Sequence, residues 1–186
     1  MLIPIIIASV FGGASFYGVQ TYNELIRARE MISNAKAQIA TQIESRWDIL
    51  KNLIQATEHY SIHEAKTLEN IIVSRQRVNE FSSTNELEQA EGTYQSSFMK
   101  LVALAEAYPD LKAGDLYKET MENATKFENN VRFSRMTFND TVTKYNRIIK
   151  TVPSNFIANI AGFKEEEYLQ ISETKREFPS WQFEFK

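Results

Sequence analysis

The chain has 186 residues, a formal net charge of −3 and no cysteine. The lack of cysteine excludes disulfides, thiolate metal sites and cysteine nucleophiles, and the slightly acidic composition without a basic patch gives no support for nucleic-acid binding. Six glycines and four prolines are too few for a loop-rich or many-stranded fold. The part of the chain after the N-terminal apolar run is long enough for one domain with its own core.

The N-terminus is an apolar run: the first 23 residues carry no charged side chain. As a helix, residues 2–19 are about 27 Å long, enough to cross the hydrocarbon core of a membrane. No basic residue precedes the run, which favours an uncleaved anchor over residues 1–20 rather than a secretory signal. Arg27, Arg29 and Lys36 follow it, so the positive-inside rule predicts an outside N-terminus and a cytoplasmic bulk of the chain, anchored in a cell membrane.

Small residues recur four apart within this run, a pattern that lets two membrane helices approach closely. We therefore expect self-association in the bilayer, against the alternative that glycine and alanine are simply common in membrane helices. The candidate contact residues are Ala8, Gly12, Gly13 and Gly18.

The apolar residues after the anchor recur at helical spacing. From Leu25 to Ile54 one stripe with no Gly or Pro predicts a first helix continuous with the anchor. The stretch Ser61–Glu64 has the form of a capping box and predicts the start of a second helix, which carries apolar residues as far as Phe81.

A turn at residues 82–85 and a capping box of Ser83 with Glu86 predict the start of a third helix. Residues 108–114 are a strong breaker, since Pro109 disfavours helical geometry at Tyr108 and Gly114 is able to take a left-handed turn. A long fourth helix is predicted to end before Pro153. Short connections between long helices predict an all-α, antiparallel (up-down) bundle of about four helices.

The end of the chain changes its period. Residues 155–162 predict one or two amphipathic turns, and Trp181, Phe183 and Phe185 then alternate with polar residues as in a strand. Because a lone strand is unstable, this end is expected to pack on the bundle, to pair with another chain or to lie in the membrane interface. The predicted organisation is an anchor (1–20), a bundle (21–163) and a tail (164–186).

Two groups of polar residues are candidates for chemistry. His59 and His63 lie four apart with Glu64 beside them, a spacing that suits zinc on a continuous helix. The glutamate between the histidines that metalloproteases use is missing, however, and no third ligand is identified. Asn139 and Asn146 each follow an aromatic residue, and we expect these amides to bond across helices and set their register.

Several motifs, in order and at matching spacing, resemble the LemA family of bacterial membrane proteins. Glu106–Ala113, with Glu106, Tyr108 and Pro109, is the most specific stretch; the others are Arg46–Leu50, Phe138–Asn139, Tyr145–Asn146 and Pro153–Phe163. The resemblance implies a single N-terminal anchor, an antiparallel bundle of long helices and no established enzymatic activity. Lys51 stands where the family usually has proline, which predicts a straighter first helix, and Lys36 stands where it often has tryptophan.

The sequence therefore predicts a non-enzymatic, membrane-anchored scaffold or adaptor without a cofactor, by analogy acting in membrane organisation or assembly of membrane complexes. Its expected partners are the lipid bilayer, further copies of itself and membrane proteins of unknown identity, and not nucleic acid. Two alternatives stay open: a metal-dependent hydrolase that uses His59, His63 and Glu64, and a sensor that passes a signal through its first helix.

Overall fold

The structure, a computed structural model, describes residues 2–57 and 70–170. These residues contain helices and no strand, which confirms the all-α prediction. Residues 70–73 are also helical. The other helices, in chain order, are α1 (Leu2–Thr57), α2 (Thr84–Ala107), α3 (Pro109–Ala113), α4 (Asp115–Lys150) and α5 (Ser154–Ile160).

Helix α1 is continuous from the apolar run into the bundle. Its 56 residues correspond to a length of about 84 Å. Residues 3–17 are exposed, whereas from Leu25 to Ile54 the residues of the apolar stripe are buried. Lys51 is exposed within this helix, and the helix continues past it because lysine, unlike the family's proline, keeps its N–H and fits helical geometry.

Helix α4 runs antiparallel to α1 and packs on it more extensively than any other described helix. Lys36 lies 6.0 Å from the ring centroid of Phe138, and Arg46 forms an ion pair with Glu128. Ten residues forward along α1 therefore correspond to ten residues backward along α4. Lys36, which replaces the family's tryptophan, is largely buried here and also pairs with Glu166 at 3.9 Å.

Helix α2 begins at the predicted capping box. The Ser83 backbone N–H donates to a carboxylate oxygen of Glu86 over 2.6 Å, and the Glu86 backbone N–H donates to the Ser83 hydroxyl over 3.2 Å. These bonds satisfy two N–H groups that a helix start leaves without partners. Because the Ser83 N–H and hydroxyl donate to its charged form, the pKa of Glu86 is lowered.

The predicted extent of the second helix is wrong at its C-terminal end. Within the described residues its helical part ends at 73, and residues 74–83 are turns and irregular chain. The side chains of Asn79 and Ser82 bond local backbone N–H groups, at 2.9 Å to Phe81 and 3.1 Å to Asn79, which competes with helix formation. Arg75 instead reaches across to Glu44 on α1. The predicted start at Ser61 lies outside the described residues.

The breaker between the third and fourth predicted helices lies where expected. Tyr108 has extended geometry (φ −126°, ψ 90°) and ends α2, and Pro109 begins the short helix α3. Gly114 does not take the expected left-handed turn: its φ is −64° and its ψ 143°, and it forms the N-terminal cap of α4. Any residue adopts this extended geometry, so Gly114 is not needed here for its conformational freedom.

Candidate functional site

The apolar end of α1 extends beyond the bundle. In the described part of the chain, α1 is the helix that is long and apolar enough to cross a membrane by length and composition. Its large side chains from Ile3 to Val19 are exposed, an arrangement that is unfavourable in water and suits a lipid surround. This end is the first candidate interaction surface.

Helix α5 contacts α1 where the apolar run ends. A Cβ placed on Gly18 would lie 3.7 Å from Cδ1 of Ile157, and the rings of Tyr22 and Phe163 meet edge to face with centroids 5.7 Å apart. Gly18, expected to face another chain, is therefore covered by α5 of its own chain. The other three candidates, Ala8, Gly12 and Gly13, are exposed.

The second candidate site is an asparagine clamp, which we define as Asn139 and Asn146 of α4. Asn146 Nδ2 donates to the Glu166 carbonyl over 2.9 Å, and its Oδ1 accepts the Glu166 N–H over 3.0 Å. Asn139 makes the same two bonds with Leu169, over 2.9 and 3.0 Å. Each amide thus mimics the peptide unit of a neighbouring strand, exchanging both hydrogen bonds with one residue.

The spacing of the clamp matches an extended chain. Seven residues of helix separate the two asparagines, about 10.5 Å along the axis, and three extended residues from Glu166 to Leu169 cover about 10 Å. The residues before the asparagines, Tyr145 and Phe138, are buried in the core. Repeating the aromatic–asparagine pair after two helical turns therefore keeps both aromatic rings in the core and both amides along its edge.

Further contacts hold the bound segment, residues 164–170. The Leu169 side chain is buried in the core, and the Gln170 N–H donates to a carboxylate oxygen of Glu88 over 2.8 Å. Arg135 donates to the Gln170 carbonyl and also pairs with the buried Glu91. The C-terminal end of the segment is thus tied to the bundle through backbone groups and the Leu169 side chain, while nearer its start Lys150 pairs with Glu165 and Lys36 with Glu166.

This outcome differs from the expectation for Asn139 and Asn146. We expected their amides to bond across helices, but in the structure they bind the backbone of an extended segment. The difference arises because a helix has already satisfied its interior N–H and C=O groups, whereas an extended segment has not. The signal available in the sequence was the repeated aromatic–asparagine pair together with the non-periodic stretch 164–170.

A buried ion pair joins three helices within the bundle. Arg46 of α1 is 2% exposed, pairs with Glu128 of α4, and has its guanidinium carbon 4.2 Å from the ring centroid of Tyr94 of α2. Burial raises the pKa of Tyr94, and the charge of Arg46 partly opposes this. Arg46 Nε and Nη1 find no hydrogen-bond partner among the described residues. The cluster is therefore part of the packing between α1, α2 and α4, with the charge of Arg46 balanced by the Glu128 carboxylate.

The breaker motif is structural in character. Burial raises the pKa of Tyr117, and the nearby charge of Glu106 adds to this effect. Tyr108 packs against the core from the end of α2, and Pro109 begins α3. The motif therefore sets the corner between α2 and α4.

The remaining candidates lie outside the described residues. His59, His63 and Glu64 belong to the stretch between residues 57 and 70, and Trp181, Phe183 and Phe185 belong to the end of the chain. Within the described ranges no group of three His, Asp or Glu side chains is arranged to hold a metal ion. The zinc site and the strand-like tail therefore stay predictions.

Fold and surfaces together define the class: a membrane-associated helical bundle built directly on its own apolar helix. The chain belongs to the LemA family, whose model matches residues 35–183, as the motifs in the sequence predicted. It is 24% identical over 169 residues to Protein LemA of Metamycoplasma hominis, an alignment that covers 87% of this chain and 74% of that protein.

The chain is also similar to magnetosome proteins. It is 33% identical over 81 residues to Magnetosome protein MamQ 2 of Paramagnetospirillum magneticum, an alignment that covers 44% of this chain and 30% of that protein. It is 33% identical over 79 residues to Magnetosome protein MamQ of Magnetospirillum gryphiswaldense, covering 42% and 29%. The chain therefore spans less than a third of the length of these relatives.

Proposed function

We propose that this protein is a non-enzymatic scaffold or adaptor, anchored by one membrane-spanning helix, that acts in the organisation of a membrane or the assembly of complexes on it. The observation that carries the proposal is the lack of any interruption in α1 between its exposed apolar end and its buried stripe. A helix without a hinge holds the bundle at a set height and direction relative to the bilayer. Such rigidity suits a protein that positions partners.

The bound segment, residues 164–170, supports the same proposal towards the other end of the chain. Lys36, which pairs with Glu166, lies 17 residues beyond Val19, or about 25 Å along α1. The segment beyond this pair continues to Gln170, where Glu88 and Arg135 hold it. The aromatic end of the chain therefore follows a fixed point on the side of the bundle, and we expect that end to contact a partner.

Self-association through the small residues of α1 is part of the proposal and is directly testable. The chain has no cysteine, so a Gly12→Cys variant carries a single thiol. We expect this variant to form disulfide dimers in native membranes. Val10→Cys is the matched control, because it is exposed two residues earlier on nearly the opposite side of the helix. Equal crosslinking of both variants, or of neither, contradicts association through the face that Ala8 and Gly12 share.

Orientation is tested in the same background. An Asn130→Cys variant places the thiol on an exposed position of α4. With the bundle in the cytoplasm, as the basic residues after the anchor predict, a membrane-impermeant maleimide labels it only after the cells are permeabilised. Labelling in intact cells would reverse the proposed orientation.

The adaptor role itself is tested by photo-crosslinking in native membranes, comparing the full chain with a variant lacking residues 171–186. We expect a reproducible set of membrane-protein partners, part of which is lost on deletion while the bundle keeps its thermal stability. If the full chain is strictly monomeric and the deletion changes neither partners nor stability, the scaffold proposal fails.

A further inference from the structure

We propose that α5 and Val152, two residues before its start, form a second membrane contact, in which Val152, Phe156 and Ile160 insert among the lipids of the leaflet that α1 leaves. This inference rests on the proposed anchorage by α1 and adds a separate site to it. The occupant is bilayer lipid, and the site is a monotopic one: it lies in the interface and does not cross the membrane.

The position of α5 relative to the apolar run is the first argument. Ile157 packs on Gly18, and Phe163, just after α5, packs on Tyr22. These two α1 residues lie at the end of the stretch without charged side chains. If residues 2–19 fill the hydrocarbon core, α5 lies at the depth where acyl chains meet headgroups.

The exposed face of α5 is the second argument. Ser154 and Ala158 are buried against the bundle, whereas Phe156 is 60% exposed and Ile160 86% exposed. Residues four apart share one face of a helix, so Phe156 and Ile160 point the same way. The exposed Val152 lies before the helix, ahead of Pro153, and adds a third large apolar side chain to this segment. Such a face is unfavourable in water and matches an interfacial amphipathic helix.

A groove between α1 and α5 is the third argument. It has a volume of about 360 Å³ and is lined almost entirely by apolar surface, including Gly18, Val19, Ile157 and Ile160. It opens beside the exposed apolar surface of α1 and is continuous with it. An acyl chain that lies along α1 is therefore able to enter the groove without leaving an apolar surround.

The charges around this segment agree with a lipid surface. Arg147, Lys150 and Lys164 flank it in sequence, and the Lys150 ammonium pairs with Glu165 over 2.7 Å. Residues 151–163 carry no charged side chain, and the basic residues on either side of them are accompanied after the segment by Glu165 to Glu167. An uncharged, apolar segment with basic side chains beside it is typical of helices that lie among headgroups.

The choice of lipid over a second copy of this chain follows from side-chain size. Helices that pack on one another in membranes use small residues at the contact, and Gly18 of α1 is already covered by Ile157. The large apolar side chains that stay exposed are Phe156 and Ile160 of α5 and Val152 before it, with the polar Asn159 also exposed. Flexible acyl chains fit around such side chains without a matching partner surface.

The experiment places an environment-sensitive nitrobenzoxadiazole label on single cysteines in the full chain, reconstituted in phosphatidylcholine vesicles of three kinds: without bromine, with bromine near the headgroup end of the acyl chains, and with bromine near their methyl end. Phe156→Cys reports on α5. Phe133→Cys is the matched control, an exposed phenylalanine (71%) on the same bundle but about 25 Å along α4 from the end of that helix that lies next to α5. Val10→Cys reports on the α1 span. Far-UV circular dichroism of each variant checks that the bundle is folded.

We expect the label at position 156 to emit at shorter wavelength than the label at 133 and to lose emission in the vesicles brominated near the headgroup end. The label at position 10, at the middle of the span, is expected to lose emission in the vesicles brominated near the methyl end. If position 156 behaves like position 133 while position 10 is quenched, the second contact is refuted and the anchor stands. If position 10 is not quenched either, the proposed anchorage itself fails. If position 156 is shielded from water, is not quenched, and Phe156→Cys forms disulfide dimers, the occupant is a second copy and the lipid assignment is overturned.

Discussion

Replacing Asn146 with alanine tests the clamp directly. The substitution removes both side-chain hydrogen bonds to Glu166 and adds nothing that can replace them. A net contribution of about 0.5–1.5 kcal/mol per hydrogen bond gives a loss of about 1–3 kcal/mol. Alanine is the better helix former by about 0.5 kcal/mol, but α4 stays helical when the segment opens, so this gain cancels between the bound and the opened state. We therefore expect the bound segment to be weakened by about 2 kcal/mol.

The assay is amide hydrogen exchange of residues 164–170, measured by mass spectrometry on the full chain in lipid nanodiscs. A loss of about 2 kcal/mol raises the population of the opened segment by about thirtyfold. Asn130→Ala is the control, since Asn130 is an exposed asparagine of the same helix and the substitution carries the same gain in helix propensity. We expect it to leave the exchange of the segment unchanged.

Asn146→Asp supplies a second, chemically distinct signature. A carboxylate still accepts the Glu166 N–H but has no proton to donate to the Glu166 carbonyl, so the segment is weakened at neutral pH. A protonated carboxylic acid has one donor and one acceptor, as the amide does, so stability relative to Asn130→Asp recovers as the pH falls through the pKa of the introduced carboxyl group. If Asn146→Ala and Asn130→Ala exchange alike, or if acid gives no recovery, the clamp does not hold the segment.

Three further predictions concern the bundle and its membrane end. In urea unfolding we expect Glu128→Ala to lower the free energy of unfolding by about 3–5 kcal/mol, because it leaves the buried guanidinium of Arg46 unpaired. Arg46→Met removes that charge and is expected to lower the free energy of unfolding by less; equal losses would contradict this. Gly18→Ala is expected to be tolerated, since its Cβ would make an ordinary contact, whereas Gly18→Leu displaces α5 and increases its hydrogen exchange. Ser83→Ala is expected to cost about 1 kcal/mol at neutral pH. Because the folded pKa of Glu86 is lowered, the stability that this pairing adds is present above the carboxyl's ordinary pKa and is lost as the pH falls through the lowered value. The loss of stability caused by Ser83→Ala should therefore be smaller in acid than at neutral pH. Thermal melts of the variant and the unsubstituted protein at an acidic and at a neutral pH measure this difference.

Long helices with an uninterrupted apolar stripe were predictable because their spacing is a local property. The stripe from Leu25 to Ile54 predicts α1 and its buried face, and both are confirmed. The capping box at Ser83 predicts the start of α2, because all its partners lie within four residues. The prediction that the second helix continues to Phe81 is wrong because its apolar spacing is outweighed by other contacts. Asn79 and Ser82 bond the local backbone, and Arg75 bonds α1.

The candidate site was predictable in part. Asn139 and Asn146 stand out because polar amides beside core aromatics need partners, and this need follows from composition alone. Their actual partner, the backbone of residues 164–170, has no periodic pattern and lies 20 to 30 residues away along the chain. A backbone partner leaves no trace in residue identity, since every residue from Lys164 to Gln170 carries the same N–H and C=O groups.

By itself the sequence determined the membrane-facing run, the helical class, the family and the faces that are buried, because each depends on the order of apolar and polar residues along one helix. Only the tertiary structure decided that Gly18 contacts α5 of its own chain, that α5 lies at the end of the apolar run, and that the segment before the aromatic tail is bound to α4. These are contacts between elements far apart in sequence. They depend on the register of α1 against α4, which the packing of their side chains sets and no local pattern specifies.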